Sequence, residues 1–298
     1  MANKVLVTGA SGLLGREILR QFVFNGWDAL GLAYSRVHGS LRKVDLCEEA
    51  QIEAVLDEFS PAVVVHSAAE RRPDVVEKQT QSATALNVNA TEKLASLCAK
   101  KNIYLLYISS DYVFDGNNAP YKPGDSTNPL NTYGQMKLDG EIAVRKYNQF
   151  GVLRIPVLYG SVESLGESAV TTLFQAVLDS SKPVKMNDFQ LRYPTHVADC
   201  AQVCVGLANR QVSDGDSNAG GVWHWSAEEC FTKYTMAMAM AQVFGLSSDH
   251  LVADKSPPSG APRPFDCNLD TTETKKAVQV QQTPFKDGIR AVLESYLP

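Results

Sequence analysis

The feature that most constrains this 298-residue chain is a run of three glycines close to its amino end. The apolar run Val5–Val7 predicts a short buried strand, and Gly9, Gly12 and Gly15 follow it at regular spacing. Helical periodicity begins at Leu14. A strand, a tight glycine turn and a helix start allow a pyrophosphate to approach the backbone and the free N–H groups of the helix. The segment predicts a dinucleotide-binding turn, and the alternative is a glycine-rich turn that binds nothing.

Strand and helix patterns alternate after this turn. The apolar, β-branched run Ala62–His66 is typical of a strand covered on both faces, as in a parallel sheet. The sequence therefore predicts an α/β fold, a Rossmann-type doubly wound parallel sheet. Further predicted strands cover Asp28–Ala33, Arg42–Leu46, Ile103–Ile108 and Gly151–Arg154, and predicted helices cover Glu48–Phe59, Ser82–Lys101 and the stretch from Tyr133 to about Tyr147.

The alternation becomes irregular from about Pro156, which predicts a small C-terminal α/β substrate lobe. We expect one chain with a nucleotide-binding core at about residues 1–155 and 190–222, and a cap lobe at about 156–189 and 223–298. In this part the sequence predicts helices at Ala169–Asp179, Val197–Ala208, Thr232–Phe244 and Phe285–Leu297, strands at Pro183–Met186 and Gly221–Trp225, a surface loop at Ser213–Gly221, and a loop over the substrate crevice at Ser256–Pro264.

The end of the second predicted strand distinguishes between two nicotinamide cofactors. An acidic residue there would accept hydrogen bonds from the ribose hydroxyls of NAD. This chain has Tyr34, Ser35 and Arg36 instead. Because a guanidinium suits a 2′-phosphate, which an acid would repel, we predict NADP over NAD. The alternative is that Arg36 is simply solvated.

Other candidate contacts follow neighbouring strands. Asp45 lies where the adenine amino group could be met, and small residues from Ser67 onward leave space for a ligand. Arg71 and Arg72 are candidate phosphate partners, with a solvated pair as the alternative. His66 is more readily interpreted as a hydrogen-bonded core histidine than as a catalyst.

A possible catalytic trio consists of Ser110, Tyr133 and Lys137. Four residues of helix place Tyr133 and Lys137 on one face with a rise of about 6 Å. We expect the ammonium to lower the pKa of the phenol from about 10 toward neutrality, and the Ser110 hydroxyl to polarise the same substrate oxygen. Beside a nicotinamide, these groups suit hydride transfer at a carbonyl, although the pattern also arises by chance.

Charge and cysteine usage exclude several classes of protein. The net charge of -5 favours neither nucleic acid nor an anionic membrane as a partner. No apolar run approaches the ~18 residues of a membrane helix, and a strand starting at Lys4 leaves no room for a signal peptide. Six cysteines without a CxxC pair indicate a reducing, cytoplasmic compartment. Cys200 and Cys204 favour buried thiols over half of a zinc site, so no metal is expected.

The glycine turn and the trio resemble the extended short-chain dehydrogenase/reductases. The segments Tyr107–Gly116 and Pro129–Glu141 are similar to the dTDP-4-dehydrorhamnose reductase branch of that family. Five further segments resemble the family of methionine adenosyltransferase regulatory β subunits, which retain the reductase fold. These segments are Ala68–Glu77, Leu153–Gly160, Arg192–Asp199, His224–Ser226 and Thr232–Tyr234.

The resemblance implies a regulatory subunit that binds the catalytic methionine adenosyltransferase, tunes S-adenosylmethionine synthesis in one-carbon metabolism, and binds NADP(H). Reductases of this branch commonly carry tryptophan at the position of Val157, which offers no broad face to a sugar. Because the trio is intact, the alternative function is that of an NADPH-dependent reductase of a nucleotide-linked keto sugar. By position, the implied cofactor contacts are Ser11, Gly12, Leu13, Leu14, Tyr34, Ser35, Arg36, Asp45, Leu46, Ser67, Arg71, Tyr133 and Leu158, beside Gly9, Gly15 and Lys137.

Overall fold

The computed structural model describes residues 2–212, 220–257 and 259–297. Its strands are β1 Lys4–Thr8, β2 Asp28–Ala33, β3 Arg42–Lys43, β4 Val63–His66, β5 Tyr104–Ser110, β6 Phe150–Ile155, β7 Leu158–Tyr159, β8 Val184–Asn187, β9 Thr195–His196, β10 Gly221–His224 and β11 Leu251–Asp254. Its α-helices are α1 Leu13–Phe24, α2 Glu49–Phe59, α3 Pro73–Lys78, α4 Thr80–Thr84, α5 Ala90–Lys100, α6 Thr132–Val144, α7 Leu173–Leu178, α8 Val197–Val212, α9 Lys233–Phe244, α10 Thr272–Ala277 and α11 Phe285–Leu293.

Seven parallel strands form the central sheet, in the order β10-β6-β5-β4-β1-β2-β3. Side chains alternate along β1: Val5 and Val7 join the core beneath α1 and α8, whereas Leu6 joins the core beneath α2 and α5. Both faces are therefore covered, which explains the unbroken apolar strands. The strand order reverses beside β1, so a crevice opens at the carboxyl ends of β1 and β4. The predicted doubly wound fold is confirmed.

A smaller α/β lobe has its own apolar core. Strands β8 and β11 pair in parallel, and α7, α9 and α11 pack beside them through Phe174, Met240, Phe285 and Ile289. Val278 packs instead with the core of the main sheet. The exact division into a core and a cap lobe stays a prediction.

Several predicted boundaries are wrong, and tertiary contacts account for them. The strand predicted at Arg42–Leu46 spans only Arg42–Lys43, and the helix predicted at Ala169–Asp179 is reduced to Leu173–Leu178. In the second case, the Ser168 hydroxyl accepts a hydrogen bond from the N–H of Val170, which holds the preceding residues in turns. Helices α3 and α10 and strand β11 were not predicted from the sequence. The loop predicted at Ser213–Gly221 lies outside the described residues except for its last two, and the second of these opens β10.

The helix predicted at Ser82–Lys101 is interrupted by a π-helical turn at Ala85–Asn89. This turn directs Asn87 toward the loop after β4. The Asn87 side chain accepts from the N–H of Glu70 at 2.8 Å and donates to the carbonyl of Glu70 at 2.9 Å. A π turn of this kind often accompanies a functional site, and here it fixes a loop that borders the crevice.

Candidate functional site

The glycine turn between β1 and α1 is built for close backbone approach. Gly9 has φ +67°, and a Cβ at this position would lie 2.8 Å from the backbone of Ala68. A Cβ on Gly15 would lie 2.2 Å from the carbonyl oxygen of Gly9. Gly12 is the N-cap of α1 and has no side chain to satisfy the first N–H groups. These donors suit a diphosphate, because the positive end of the helix dipole adds to them.

A cavity of about 860 Å³ opens beside this turn, at the carboxyl edge of the sheet. Every residue predicted for the site lines it, so the fold brings together segments that are far apart in the chain. The lining includes Gly9, Ser11, Gly12, Leu13, Leu14, Gly15, Tyr34, Ser35, Arg36, Asp45, Leu46, Ser67, Arg71, Ser110, Tyr133, Lys137 and Leu158. Which of these touch a ligand stays a prediction.

The three arginines predicted to bind phosphate already have partners. Arg36 forms ion pairs with Glu163 at 2.7 Å and Glu167 at 3.3 Å. Arg71 donates a hydrogen bond to the carbonyl of Glu167. Arg72 pairs with Glu70 at 2.7 Å. These side chains remain exposed, to 47% for Arg36 and 65% for Arg72, so the choice between phosphate partners and solvated arginines stays a prediction. Glu163 and Glu167 were not predicted from the sequence, because they lie more than a hundred residues beyond Arg36.

Ser110, Tyr133 and Lys137 share one end of the cavity, but their electrostatics differ from the prediction. Burial raises the pKa of Tyr133, and interactions with Ser110 and Arg71 lower it only in part. The Lys137 ammonium donates to the carbonyl of Ile108 at 2.8 Å, and burial lowers its own pKa to about 8. The expected shift of the phenol pKa toward neutrality is wrong for this arrangement, because desolvation outweighs the neighbouring cation.

Cationic side chains also line the cavity, next to the trio: the Arg192 guanidinium lies 6.0 Å from the ring of Tyr112, which contacts the ring of Tyr133. These cations are Arg192, Lys233 and Arg263, and the last of them comes from the loop that was predicted to cover the crevice. Asp111 lies beside them, and burial raises its pKa to about 6 even though Arg192 opposes the shift. Arg192 and Lys233 belong to segments that carry the family resemblance, but none of the three cations was predicted as a site residue. Val157 also lines the cavity, without an aromatic face for a sugar.

His66 is a core residue and not part of the cavity lining. The Thr91 hydroxyl donates to the carbonyl of Asn87 at 2.9 Å and can then only accept from Nε2 of His66, also at 2.9 Å. Nδ1 accepts from the Thr8 hydroxyl at 2.7 Å. With both ring nitrogens satisfied, the neutral imidazole is held away from any substrate.

The buried His66 predicts a loss of stability in mild acid. Burial lowers the pKa of His66 from 6.5 to about 3. Between these two pH values, His66 is protonated in the unfolded chain but stays neutral in the folded chain. The stability that depends on neutral His66 is full above pH 6.5 and falls as the pH drops toward 3. At pH 4.5 the loss is about 2 to 3 kcal/mol relative to pH 7.

Urea unfolding of wild type and His66→Gln at pH 7 and pH 4.5 measures this loss of unfolding free energy. The comparison with the variant is needed because Asp111, with its raised pKa, shifts stability in the opposite direction over part of this range. The variant should lose less stability than wild type by the stated amount. Parallel losses in the two proteins would contradict the assignment.

The described ranges hold no cluster of metal ligands and no helix that could span a membrane. Cys200 and Cys204 are buried free thiols whose pKa values burial raises. Within residues 2–212, 220–257 and 259–297, no group of three or more histidine, cysteine or acidic side chains is placed to hold a metal ion. None of the helices in these ranges is both long and apolar enough to cross a membrane.

Comparison with known proteins identifies the family. The family model described as the RmlD substrate binding domain matches residues 3–297. Methionine adenosyltransferase 2 subunit beta of Xenopus laevis is 46% identical over 298 residues, which cover 99% of this chain and 89% of the relative. The structure of dTDP-4-dehydrorhamnose reductase from Bacillus anthracis in complex with NADP has a TM-score of 0.84 at 22% identity and covers 99% of each chain. The structure of MoeE5 in complex with UDP-glucose and NAD has a TM-score of 0.84 at 22% identity and covers 98% of each chain.

The solved structures, at this identity, establish the fold. The family model and the frog protein each match nearly the whole chain, and they confirm the resemblance seen in the segments. The chain therefore belongs to the RmlD substrate-binding-domain family and, within it, to the methionine adenosyltransferase 2 β subunits.

Proposed function

We propose that this chain is a regulatory subunit that binds the catalytic methionine adenosyltransferase, tunes S-adenosylmethionine synthesis, and holds NADP in its reductase-like cavity. The observation that carries the proposal is 46% identity over 99% of the chain to a protein named as subunit β of that enzyme. Val157 in the cavity lining supports a regulatory role, because it offers no broad face to a sugar.

The residues of the cavity fit an adenine dinucleotide. The amides of Leu13 and Leu14 would hold the diphosphate, the segment after β2 would meet the adenosine, and Tyr133 and Lys137 would face the nicotinamide end. When bound, the nicotinamide supplies hydride chemistry. The segment Tyr34–Arg36 contains no carboxylate that would repel a 2′-phosphate.

Replacing Arg36 with aspartate should weaken NADP binding by roughly 10- to 100-fold, the value of a charge-assisted hydrogen bond. NAD binding should change little, because only the 2′-phosphate loses a partner. Isothermal titration with both cofactors measures the difference. Arg20→Asp removes another exposed arginine of an ion pair and serves as the control. Equal losses for NADP and NAD in Arg36→Asp would count against a 2′-phosphate at this position.

Mixing with the catalytic subunit of the same organism tests the regulatory role. We expect co-elution at micromolar concentrations in size-exclusion chromatography and a changed apparent KM of the catalytic subunit for methionine, each measured with and without NADP. Absence of a complex at these concentrations would overturn the proposal while leaving the cofactor assignment open to its own titration.

The second candidate is an NADPH-dependent reductase of a nucleotide-linked 4-keto-6-deoxy sugar. It is favoured by the presence of Ser110, Tyr133 and Lys137 in one cavity lining together with the cations Arg192, Lys233 and Arg263. Loss of NADPH absorbance with a dTDP-4-keto sugar would support it, provided that Tyr133→Phe abolishes turnover. No turnover with wild type would leave the regulatory proposal as the better account.

A further inference from the structure

The segment that connects β7 to α7 crosses to the cofactor side of the cavity. We call residues 161–168 the acidic strap, because Glu163 and Glu167 project from it. The carboxylate of Glu163 lies 2.7 Å from Nη1 of Arg36, and that of Glu167 lies 3.3 Å from the same atom. Glu163 also lies 3.7 Å from His38. The guanidinium predicted to receive the 2′-phosphate is therefore held by two carboxylates from the second lobe.

The strap is anchored mainly through Glu167. Arg16 forms two parallel hydrogen bonds of 2.8 Å with this carboxylate and donates a third, of 3.2 Å, to the carbonyl of Ser161. Although burial opposes it, hydrogen bonds from Arg16 and from the N–H of Glu163 lower the pKa of Glu167 to about 2. The hydroxyl of Tyr296, near the carboxyl end of the chain, donates to the carbonyl of Val162 at 2.9 Å.

The two glutamates differ in exposure, which separates their roles. The Glu167 side chain is only 8% exposed, whereas 45% of the Glu163 side chain is exposed. The Glu163 carboxylate also lies 3.4 Å from Nη1 of Arg16, but it makes no side-chain hydrogen bond to that residue, and it can swing into solvent at small cost because exposed ion pairs contribute little to stability. Glu167 is tied to Arg16 and stays in place. A phosphate that approaches Arg36 would therefore meet one movable and one fixed carboxylate.

We infer that Glu163 is a specificity-determining residue: its carboxylate competes with the 2′-phosphate of NADP for Arg36, while Glu167 and Arg16 hold the strap in position. The end of β2 has no acidic residue of its own, and the strap places the Glu163 carboxylate beside it. NADP must displace Glu163, whereas NAD brings no phosphate and its ribose hydroxyls can donate to that carboxylate. The inference rests on the proposed binding of NADP.

Glu163→Gln tests it, since glutamine has nearly the same shape and no charge. We expect NADP to bind roughly 3- to 10-fold more tightly, because the carboxylate that competes for Arg36 and repels the 2′-phosphate is removed. NAD should bind equally or more weakly. Titrations with adenosine 2′,5′-bisphosphate and with AMP isolate the effect, and only the bisphosphate should gain affinity. Glu92→Gln, which removes an exposed carboxylate paired with Lys146, is the matched control.

Titrations of the wild-type protein distinguish a failure of the proposed NADP binding from a failure of the proposed competition by Glu163. If wild type binds NADP and Glu163→Gln binds it with unchanged or lower affinity, competition by Glu163 is overturned and the proposed cofactor stands. If wild type binds neither nucleotide at millimolar concentration, the proposed cofactor fails and the inference fails with it. A gain in Glu163→Gln of the same size for NAD as for NADP would also overturn the inference, because it would not depend on the 2′-phosphate.

Discussion

Replacing Gly15 with alanine is expected to weaken NADP binding by roughly 100-fold or more, the loss of two charge-assisted hydrogen bonds to the diphosphate. The added Cβ would lie 2.2 Å from the carbonyl oxygen of Gly9 and 2.7 Å from its carbonyl carbon, so the glycine turn has to open. Since these are backbone atoms, no rotamer change can relieve the contact. Overpacking of this kind also destabilises the fold by about 1 to 3 kcal/mol.

Isothermal titration and urea unfolding measure the two effects separately. Gly124→Ala is the control, because a Cβ at Gly124 meets no atom within 4 Å. Gly12→Ala is a milder companion, whose Cβ meets only the Gly9 carbonyl oxygen at 3.2 Å. It keeps the test decisive should Gly15→Ala fold poorly. Unchanged NADP affinity in folded Gly12→Ala and Gly15→Ala would show that the diphosphate does not use this turn.

Replacing Arg154 with methionine should destabilise the protein by about 3 to 5 kcal/mol, because it leaves the buried Glu141 carboxylate without its counter-ion. The two side chains are 2% and 0% exposed and form two hydrogen bonds of 2.8 and 2.7 Å. Ser109 donates to the same carboxylate at 2.6 Å. The pair joins β5 and β6 to the helix that carries Tyr133, so it also positions one wall of the cavity.

The urea midpoint of Arg154→Met against wild type measures this effect. The double variant Arg154→Met/Glu141→Leu should recover part of the stability, because no unpaired charge remains in the core. A single variant that loses less than 1 kcal/mol, or a double variant less stable than the single one, would contradict the assignment of an uncompensated buried charge.

Local patterns in the sequence were sufficient to predict the main sheet. Apolar, β-branched runs and the glycine turn act within a few residues, so the strands around Val5–Val7 and Ala62–His66 were correctly placed. Helix α7 was predicted too long and the π turn at Ala85–Asn89 was missed, because side-chain hydrogen bonds across turns override helical periodicity there.

In the candidate site, too, local features were predictable from the sequence and long-range contacts were not. Its glycines and the residues after each strand were predictable, because the carboxyl ends of parallel strands meet at one edge. The ion pairs of Arg36 with Glu163 and Glu167 were not, since 127 and 131 residues separate the partners along the chain. The pKa of Tyr133 was predicted in the wrong direction, because spacing on a helix shows the neighbouring cation but not the depth of burial.

A crystal structure of this chain grown with excess NADP tests the central claim most directly. The account predicts the diphosphate on the amides of Leu13 and Leu14, the 2′-phosphate on Arg36, and Glu163 turned away from that guanidinium. A cavity mouth blocked by side chains, or a diphosphate bound away from the glycine turn, would contradict the account.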